Sequence, residues 1–383
     1  MAKVINVGII GTGFIGPAHL EAVRRLGDVQ VLGVAEHNQE LADQKAALFN
    51  IPRAYGNYLD MINDKEIHVI HNCTPNRMHY EVNKRILEAG KHVVSEKPLT
   101  DNSTESRKLV QQAAKSGLVN AVNYNYRYFP MVQQTAAMMG KGKFGELIAI
   151  QGTYCQDWLL YDTDWNWRLD AKQAGPSCAL ADIGSHWLDL VQFITGKEIV
   201  RVFSDMMTVH EIRKRPKQRI ETFAGKKLKP SDYEEVKVEV DNYDQVLVEF
   251  AGGGRGMVCV SQVSAGRKNH LTFELCGTAQ AAWWDQERPN ELYLGRRNEP
   301  NELMLKDPSL LDPSAKDYAH YPGGHQEGYP DCLKNFFRNV YRYIRNPRGK
   351  IDFATFDDGH RAVCIVEAAL KSNKMKKWVD VKY

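Results

Sequence analysis

Apolar stretches alternate with amphipathic ones from residue 4 to about 125, and no other feature limits the fold as much. VINVGII is a continuous apolar run, PAHLEAVRRLG has helical spacing and stops at Gly27, and VQVLGVAE is a second apolar run. QELADQKAALF, IHVIHNCTP, HYEVNKRILEAG, HVVSEKP, ESRKLVQQAAKSG and VNAVNYNYR continue the series, helix and strand in turn. A strand that is apolar throughout must be covered on both faces. Alternation of such strands with helices therefore predicts βαβ units and a parallel sheet.

The first strand runs into GTGFIG, which supplies Gly11, Gly13 and Gly16 as G-x-G-x-x-G at the opening of a helix. Gly11 permits the tight turn, Gly13 lets a pyrophosphate approach the backbone, and Gly16 lets helix and strand pack closely. Thr12, Phe14 and Ile15 complete the loop, and the diphosphate would rest on N–H groups at the positive end of the helix. Glu36 ends the second strand 20 residues after Gly16. Its carboxylate suits both ribose hydroxyls of NAD and repels a 2′-phosphate. No arginine follows, and His37 alone leaves NADP as the lesser option. Thr74, Pro75 and Asn76 close the third strand and either border the cofactor or form a plain turn with Asn76 as a cap.

After about residue 145 the period changes. GELIAIQGTYCQ, VKVEVDNYDQVLVEFAGGGRGMVCVSQVSA and NHLTFELCGTAQAAWWDQ alternate with period two, and AGGGRG reads as a hairpin turn. Two helices interrupt, near 184–195 and 326–345. The prediction is an α/β protein of two domains: a Rossmann dinucleotide-binding domain over 1–125, and an α+β domain over 126–383 around a large, open, mostly antiparallel sheet. A length of 383 residues fits two domains.

The formal net charge of +3 is too small to argue for nucleic acid or an anionic membrane. The stretch 213–229 holds eight Lys/Arg and one acid, but lacks interleaved aromatics and reads as a solvated loop joining two strands. No apolar run is long enough to span a bilayer. The chain enters a strand at once, without a signal-like segment, and its seven cysteines are scattered singly. These features lead us to expect a cytoplasmic protein with reduced thiols. No His or Cys group has metal-ligand spacing, so no metal is expected.

HVVSEKPLT places Lys97 before a proline at the end of the fourth strand. From position alone this lysine either snorkels to solvent or points at a reacting carbon. LADIGSHWLDL sets Asp182 and His186 four residues apart at a helix start, on one face. Asp182 suits an N-cap and His186 an ordinary helix histidine, but a carboxylate beside an imidazole also orients a general base.

GTGFIG, CTPNRMHYE, SEKPLT, WNWRLD, DIGSHWLDL, FELCGTAQAAWW and TFDDGHRAVCIVEAALKS together resemble the Gfo/Idh/MocA family of sugar and cyclitol oxidoreductases, nearly end to end. The resemblance implies Lys97, Asp182 and His186 as the catalytic set. It also implies an open sheet that mediates oligomers, here a homodimer or homotetramer through the C-terminal sheet. On that reading a secondary ring hydroxyl of a sugar, sugar derivative or cyclitol is oxidised to a ketone. His186 takes the proton, hydride goes to nicotinamide C4, Lys97 stabilises the oxygen, and Asp182 orients. Arg168, with Trp165 or Trp167, suits a polyol or belongs to a packed aromatic loop. His325, after two glycines, reaches the sugar in such relatives or is a surface histidine. Arg127 and Gln156 are further substrate candidates, and His79, Glu96 and Asn125 join the cofactor set. Two other functions share these features: a glycoside-processing enzyme that works through a transient 3-keto sugar, and a non-catalytic NAD-binding sensor.

Overall fold

The computed structural model describes residues 4–218 and 228–383. Of the basic stretch 213–229, residues 219–227 lie outside the described residues. Contacts divide the chain into two compact units: residues 1–128 with 329–363, and residues 129–328 with 364–383. The helix Tyr329–Arg345, which the sequence reading leaves in the second domain, thus belongs to the first unit. Its Asn335 donates to the Tyr128 carbonyl, and its Tyr341 hydroxyl meets His71 at 2.7 Å.

In the first unit a six-stranded sheet has the order β3-β2-β1-β4-β5-β6. The strands are β1 Ile5–Ile10, β2 Val29–Ala35, β3 Arg53–Tyr55, β4 Val69–Asn72, β5 His92–Ser95 and β6 Asn120–Val122. Every pairing is parallel. The order reverses at β1/β4, so the β1, β4 and β5 ends fall beside a topological switch point, where such sheets bind ligands. β3 is an edge strand of three residues, too short to show a period. The core below the sheet gathers Ile70, Val93, Leu109 and Val122 with Ala354, Phe356 and Ala362 from the returning chain.

In the second unit a nine-stranded sheet has the order β16-β15-β14-β13-β7-β12-β11-β8-β17. Its members are β7 Leu147–Cys155, β8 Ile199–Met207, β11 Tyr243–Phe250, β12 Arg255–Ser261, β13 His270–Gly277, β14 Ala281–Asp285, β15 Glu291–Gly295, β16 Glu302–Leu305 and β17 Val379–Asp380. β9 Ile212–Pro216 and β10 Tyr233–Lys237 form a separate antiparallel ribbon. The sheet is antiparallel except for the pair β7/β12. The expected AGGGRG hairpin joins β11 to β12, with Gly252, Gly253 and Gly254 at positive φ.

Alternation is clearest along β11, β12 and β15. Val246, Val248, Val258, Val260, Leu292 and Leu294 are buried on one face. Met207, Leu247, Met257, Tyr293, Leu303 and Leu305 are exposed on the other. The sheet therefore covers one side and leaves a partly apolar side open.

The residues expected as one strand over 236–250 are two elements. Asp241 interrupts them because its carboxylate accepts from the backbone of Cys178 (3.0 Å) and Leu180 (2.8 Å). The described start of the basic stretch is a strand, not a solvated loop. Arg213 is fully buried and donates to the carbonyls of Leu159, Tyr161 and Asp164. No helix among the described residues is long and apolar enough to cross a membrane.

Candidate active site

The glycine loop has the form a dinucleotide needs. Gly11 sits at φ +88, and a Cβ there would lie 2.8 Å from the Cys73 carbonyl oxygen. A Cβ on Gly16 would collide with the Gly11 carbonyl, whereas one on Gly13 would meet nothing within 4 Å. Gly16 thus serves packing, and Gly13 leaves room for a ligand. The helix Gly16–Arg24 has no side-chain cap at its start, so its first N–H groups are not taken by a capping side chain. Glu36 Oε1 accepts from both Thr12 N and Thr12 Oγ1 at 2.6 Å, which ties the second strand end to the loop. Glu36 Oε2 lies 3.8 Å from His37 Nδ1. Phe14 is exposed, and Ile15 precedes the helix as its N-cap residue. The loop thus leaves open space at Gly13, and a carboxylate stands at the end of β2 beside it.

Thr74 turns back onto Asn72, which joins Asn83 and Ser95 in a buried amide–hydroxyl chain. Pro75 leads into a short turn at Asn76–Met78 and caps nothing with a side chain. His79, grouped above with the cofactor contacts, instead lies buried beneath this turn. Its Nε2 meets the Thr74 carbonyl at 2.8 Å and its Nδ1 the Pro98 carbonyl at 2.6 Å. Burial pushes its pKa down, against the two carbonyls that push it up. A neutral imidazole can donate to only one of them.

Lys97 is half-buried at the exit of β5, and the Lys97–Pro98 peptide is cis. Its neighbour Glu96 is buried and held by a network that the sequence does not display. His19 Nε2 meets Glu96 Oε1 at 2.8 Å, Asn123 Nδ2 donates to the same oxygen at 2.5 Å, and His19 Nδ1 meets His71 Nδ1 at 2.9 Å. His71 Nε2 then meets the Tyr341 hydroxyl at 2.7 Å. Burial alone pushes the Glu96 carboxyl up. The hydrogen bond and charge of His19, with Lys97 and Asn123, outweigh that and hold it at about 2. Burial and the charge of His19 push His71 well below its ordinary value. Glu96 is therefore a fixed buried anion one residue before Lys97.

Asn125 is also buried, its amide on Cys332 Sγ at 3.2 Å. Arg127 pairs with Asp358 at 2.9 Å, its side chain 10 % exposed. Arg127 lowers the Asp358 pKa against burial, with help from the Thr355 N–H and hydroxyl.

In the second unit Asp182 and His186 lie on a helix with an uncommon start. Leu180–Gly184 forms one π turn, which continues as the helix Ser185–Thr195. Single π turns recur at functional sites. Asp182 does not cap this helix; Asp241 takes the Cys178 and Leu180 N–H groups instead. That leaves the Asp182 carboxylate to accept from Arg168 Nε on one oxygen and Gln262 Nε2 on the other, both at 3.1 Å. His186, 6 % exposed, lies beside the Tyr154 ring, with centroids 6.2 Å apart.

The helix is seated by the next residue. Trp187 is fully buried and its Nε1 donates to the Thr272 carbonyl at 3.0 Å. A Cβ on Gly152 would come within 2.6 Å of that nitrogen, so only glycine leaves space there. Gly184 likewise lets the helix approach Val260 on β12.

Arg168 therefore meets Asp182 directly, with its guanidinium 4.5 Å over the Trp167 ring. Trp165 packs beside Leu159, Leu169, Val238 and Val240, with Arg215 over its ring at 5.4 Å, as a packed loop residue. Gln156 is engaged with Asn269 (2.9 Å) and accepts from Trp158 (2.7 Å). His325 is exposed, and its carbonyl accepts from Lys306 Nζ at 2.9 Å.

Sequence reasoning missed His19, Asn123, Gln262 and Lys306. For His19 a signal existed: a histidine one turn into a helix whose face must pack on the sheet. Among the described residues one trio of ligand-type atoms also meets without any spacing signal. His270 Nδ1 lies 3.3 Å from Asp285 and 3.4 Å from Glu287, the distances of ion-pair contacts.

Two family models cover most of the chain. Residues 5–124 match the oxidoreductase family with an NAD-binding Rossmann fold, and residues 132–282 match the GFO/IDH/MocA C-terminal domain. Levoglucosan dehydrogenase of Pseudarthrobacter phenanthrenivorans is 29% identical over 396 aligned positions, which cover 98% of each chain. Trans-1,2-dihydrobenzene-1,2-diol dehydrogenase of Mus musculus is 28% identical over 81% of this chain and 84% of its own. A levoglucosan dehydrogenase structure in complex with NADH and levoglucosan superposes with a TM-score of 0.88 at 27% identity, covering 100% of both chains. The chain is thus an oxidoreductase of the Gfo/Idh/MocA family, with an NAD-binding Rossmann fold in its first part.

Proposed function

We propose that the protein oxidises a secondary ring hydroxyl of a sugar, sugar derivative or cyclitol to a ketone, reversibly, with NAD. The observation that carries this reading is the setting of the acid and base in the second unit. Asp182 is held by Arg168 and Gln262 one turn before a buried imidazole, on a helix seated by Trp187. A carboxylate fixed by two donors is a poor proton acceptor but a good electrostatic partner. His186 therefore takes the hydroxyl proton, and Asp182 supports the charge that develops on the ring. Lys97 donates to the alcohol oxygen and stabilises its negative charge, while the adjacent Glu96 keeps the local charge balanced. Bound NAD supplies the hydride acceptor. Arg168 and His325 would meet further hydroxyls, and the binding of levoglucosan by a similar enzyme supports a compact ring substrate.

The open face of the nine-stranded sheet supports assembly as a homodimer or homotetramer, since Met207, Leu247, Met257 and Tyr293 expose apolar surface there. The seven free cysteines support a cytoplasmic protein.

The test is a panel of levoglucosan, free sugars, myo-inositol and glycosides with NAD, followed as NADH absorbance. Net NADH with a free polyol is expected, and Lys97→Met should lower kcat/KM by roughly 10²-fold or more. Full activity in Lys97→Met, or glycoside turnover with no net NADH, would replace this reading.

A further inference from the structure

The loop that carries His325 has an ion pair inside it. Lys306 directly follows β16, and its ammonium donates to the carbonyls of His325 (2.9 Å) and Tyr321 (3.0 Å) and to Glu327 Oε2 (2.7 Å). The two charged side chains are 1% and 0% exposed. Glu327 Oε1 accepts from the His320 backbone at 2.8 Å. Asn290 holds the same turn from the other side, its amide on the Glu327 carbonyl at 2.9 Å. Asp307 accepts from Gly323 N at 3.1 Å. Around this buried pair the loop is irregular and its outer residues are exposed, including His325 and Gly324, the latter at φ +82.

Stability alone does not account for such a pair. Taking both charges out of water carries a large desolvation cost, and replacement by apolar residues is often neutral. What the pair does supply is geometry. The three ammonium hydrogens meet four acceptors, and three of those are backbone carbonyls of the loop itself, Tyr321, Pro322 and His325. Ordering an irregular loop costs conformational entropy, and here charge-assisted bonds from within offset that cost.

We propose that Lys306 and Glu327 are positioning residues that clamp the loop 320–327 from inside, so that the His325 imidazole is presented to a sugar or cyclitol hydroxyl in one place. This rests on the reading that His325 meets the substrate. The alternative is a clamp that only stabilises the loop.

The test uses Lys306→Met/Glu327→Met, which removes the charges together and leaves none buried alone. Glu327→Gln, which keeps the shape, is the second variant in case the double variant does not fold. Hydrogen exchange of the 318–328 segment and steady-state kinetics with levoglucosan and NAD are read together, using another NADH-forming member of the panel if levoglucosan is inert. Both variants should exchange faster in this segment. The double variant should raise KM for the polyol about tenfold, with kcat and the NAD KM nearly unchanged. In a His325→Ala background the same change should add nothing, as a device acting through His325 requires. Wild-type exchange and KM in the folded variants would overturn the proposal. So would a KM increase that persists undiminished in His325→Ala. If His325→Ala itself leaves KM unchanged, the reading of His325 as a substrate contact falls and positioning falls with it; faster exchange would then mark the clamp as structural only.

Discussion

The buried Glu96 gives a stability prediction with a definite sign. Its carboxyl is held at about 2 in the folded protein against an ordinary 4.5. At ~1.4 kcal/mol per pKa unit, that difference stabilises the fold by about 3 kcal/mol at neutral pH. Because the folded value is the lower one, the contribution is complete above pH 4.5 and is lost as pH falls toward 2. Working the two titrations through, about 2 kcal/mol is gone by pH 3. The perturbation is Glu96→Gln, whose amide keeps the shape but cannot carry the charge facing His19. The assay is thermal unfolding of both proteins from pH 7 to pH 3. Acid-sensitive groups that do not face residue 96 act equally on the two proteins, so the gap between them reports Glu96 together with its partner His19. The wild type should be the more stable at pH 7, and for a chain of 383 residues the gap should narrow by about 2–3 °C on going to pH 3. A gap that stays constant with pH would refute an ionised Glu96 held by His19. A gap that widens would show the sign to be wrong.

Two substitutions test other parts of the site. Arg168→Met leaves the Asp182 carboxylate with Gln262 on one oxygen and no guanidinium on the other; kcat/KM for the polyol should fall about 10²-fold while NAD binding, measured by fluorescence titration, is unchanged. Gly16→Ala drives a methyl into the Gly11 carbonyl, so the melting temperature should drop by an amount equivalent to about 1–3 kcal/mol, and the NAD KM should rise as the loop is displaced.

Much of the first unit was legible because its strands are apolar throughout and its helices amphipathic. β1, β2, β4, β5 and β6 all fall within the runs read from sequence. β3 escaped because three residues at an edge show no period, and β8, IVRVFSDMM, because its polar residues interrupt the apolar alternation. The break before β11 was hidden for another reason. Asp241 serves a helix start some 60 residues earlier, and nothing near it in the chain says so. The spacing of Asp182 and His186 was visible, but not that Asp182 is paired with Arg168 rather than capping the helix. Trp165, which as an aromatic suits a ring face, is taken up by packing and by Arg215.

Sequence alone decided what is set by neighbours along the chain: the glycine turn, the acid that follows β2, the lysine that follows β5, and the period of strands such as β11 and β12. Each depends on backbone conformation and side-chain periodicity over a few residues, and those are written locally. Tertiary structure alone decided which charges became partners. It returned residues 329–363 to the first unit, set Glu96 against a histidine 77 positions away, and closed Lys306 on Glu327 inside a loop. A buried charge is tolerated only where a partner arrives in the right geometry, and that arrival depends on how distant elements pack.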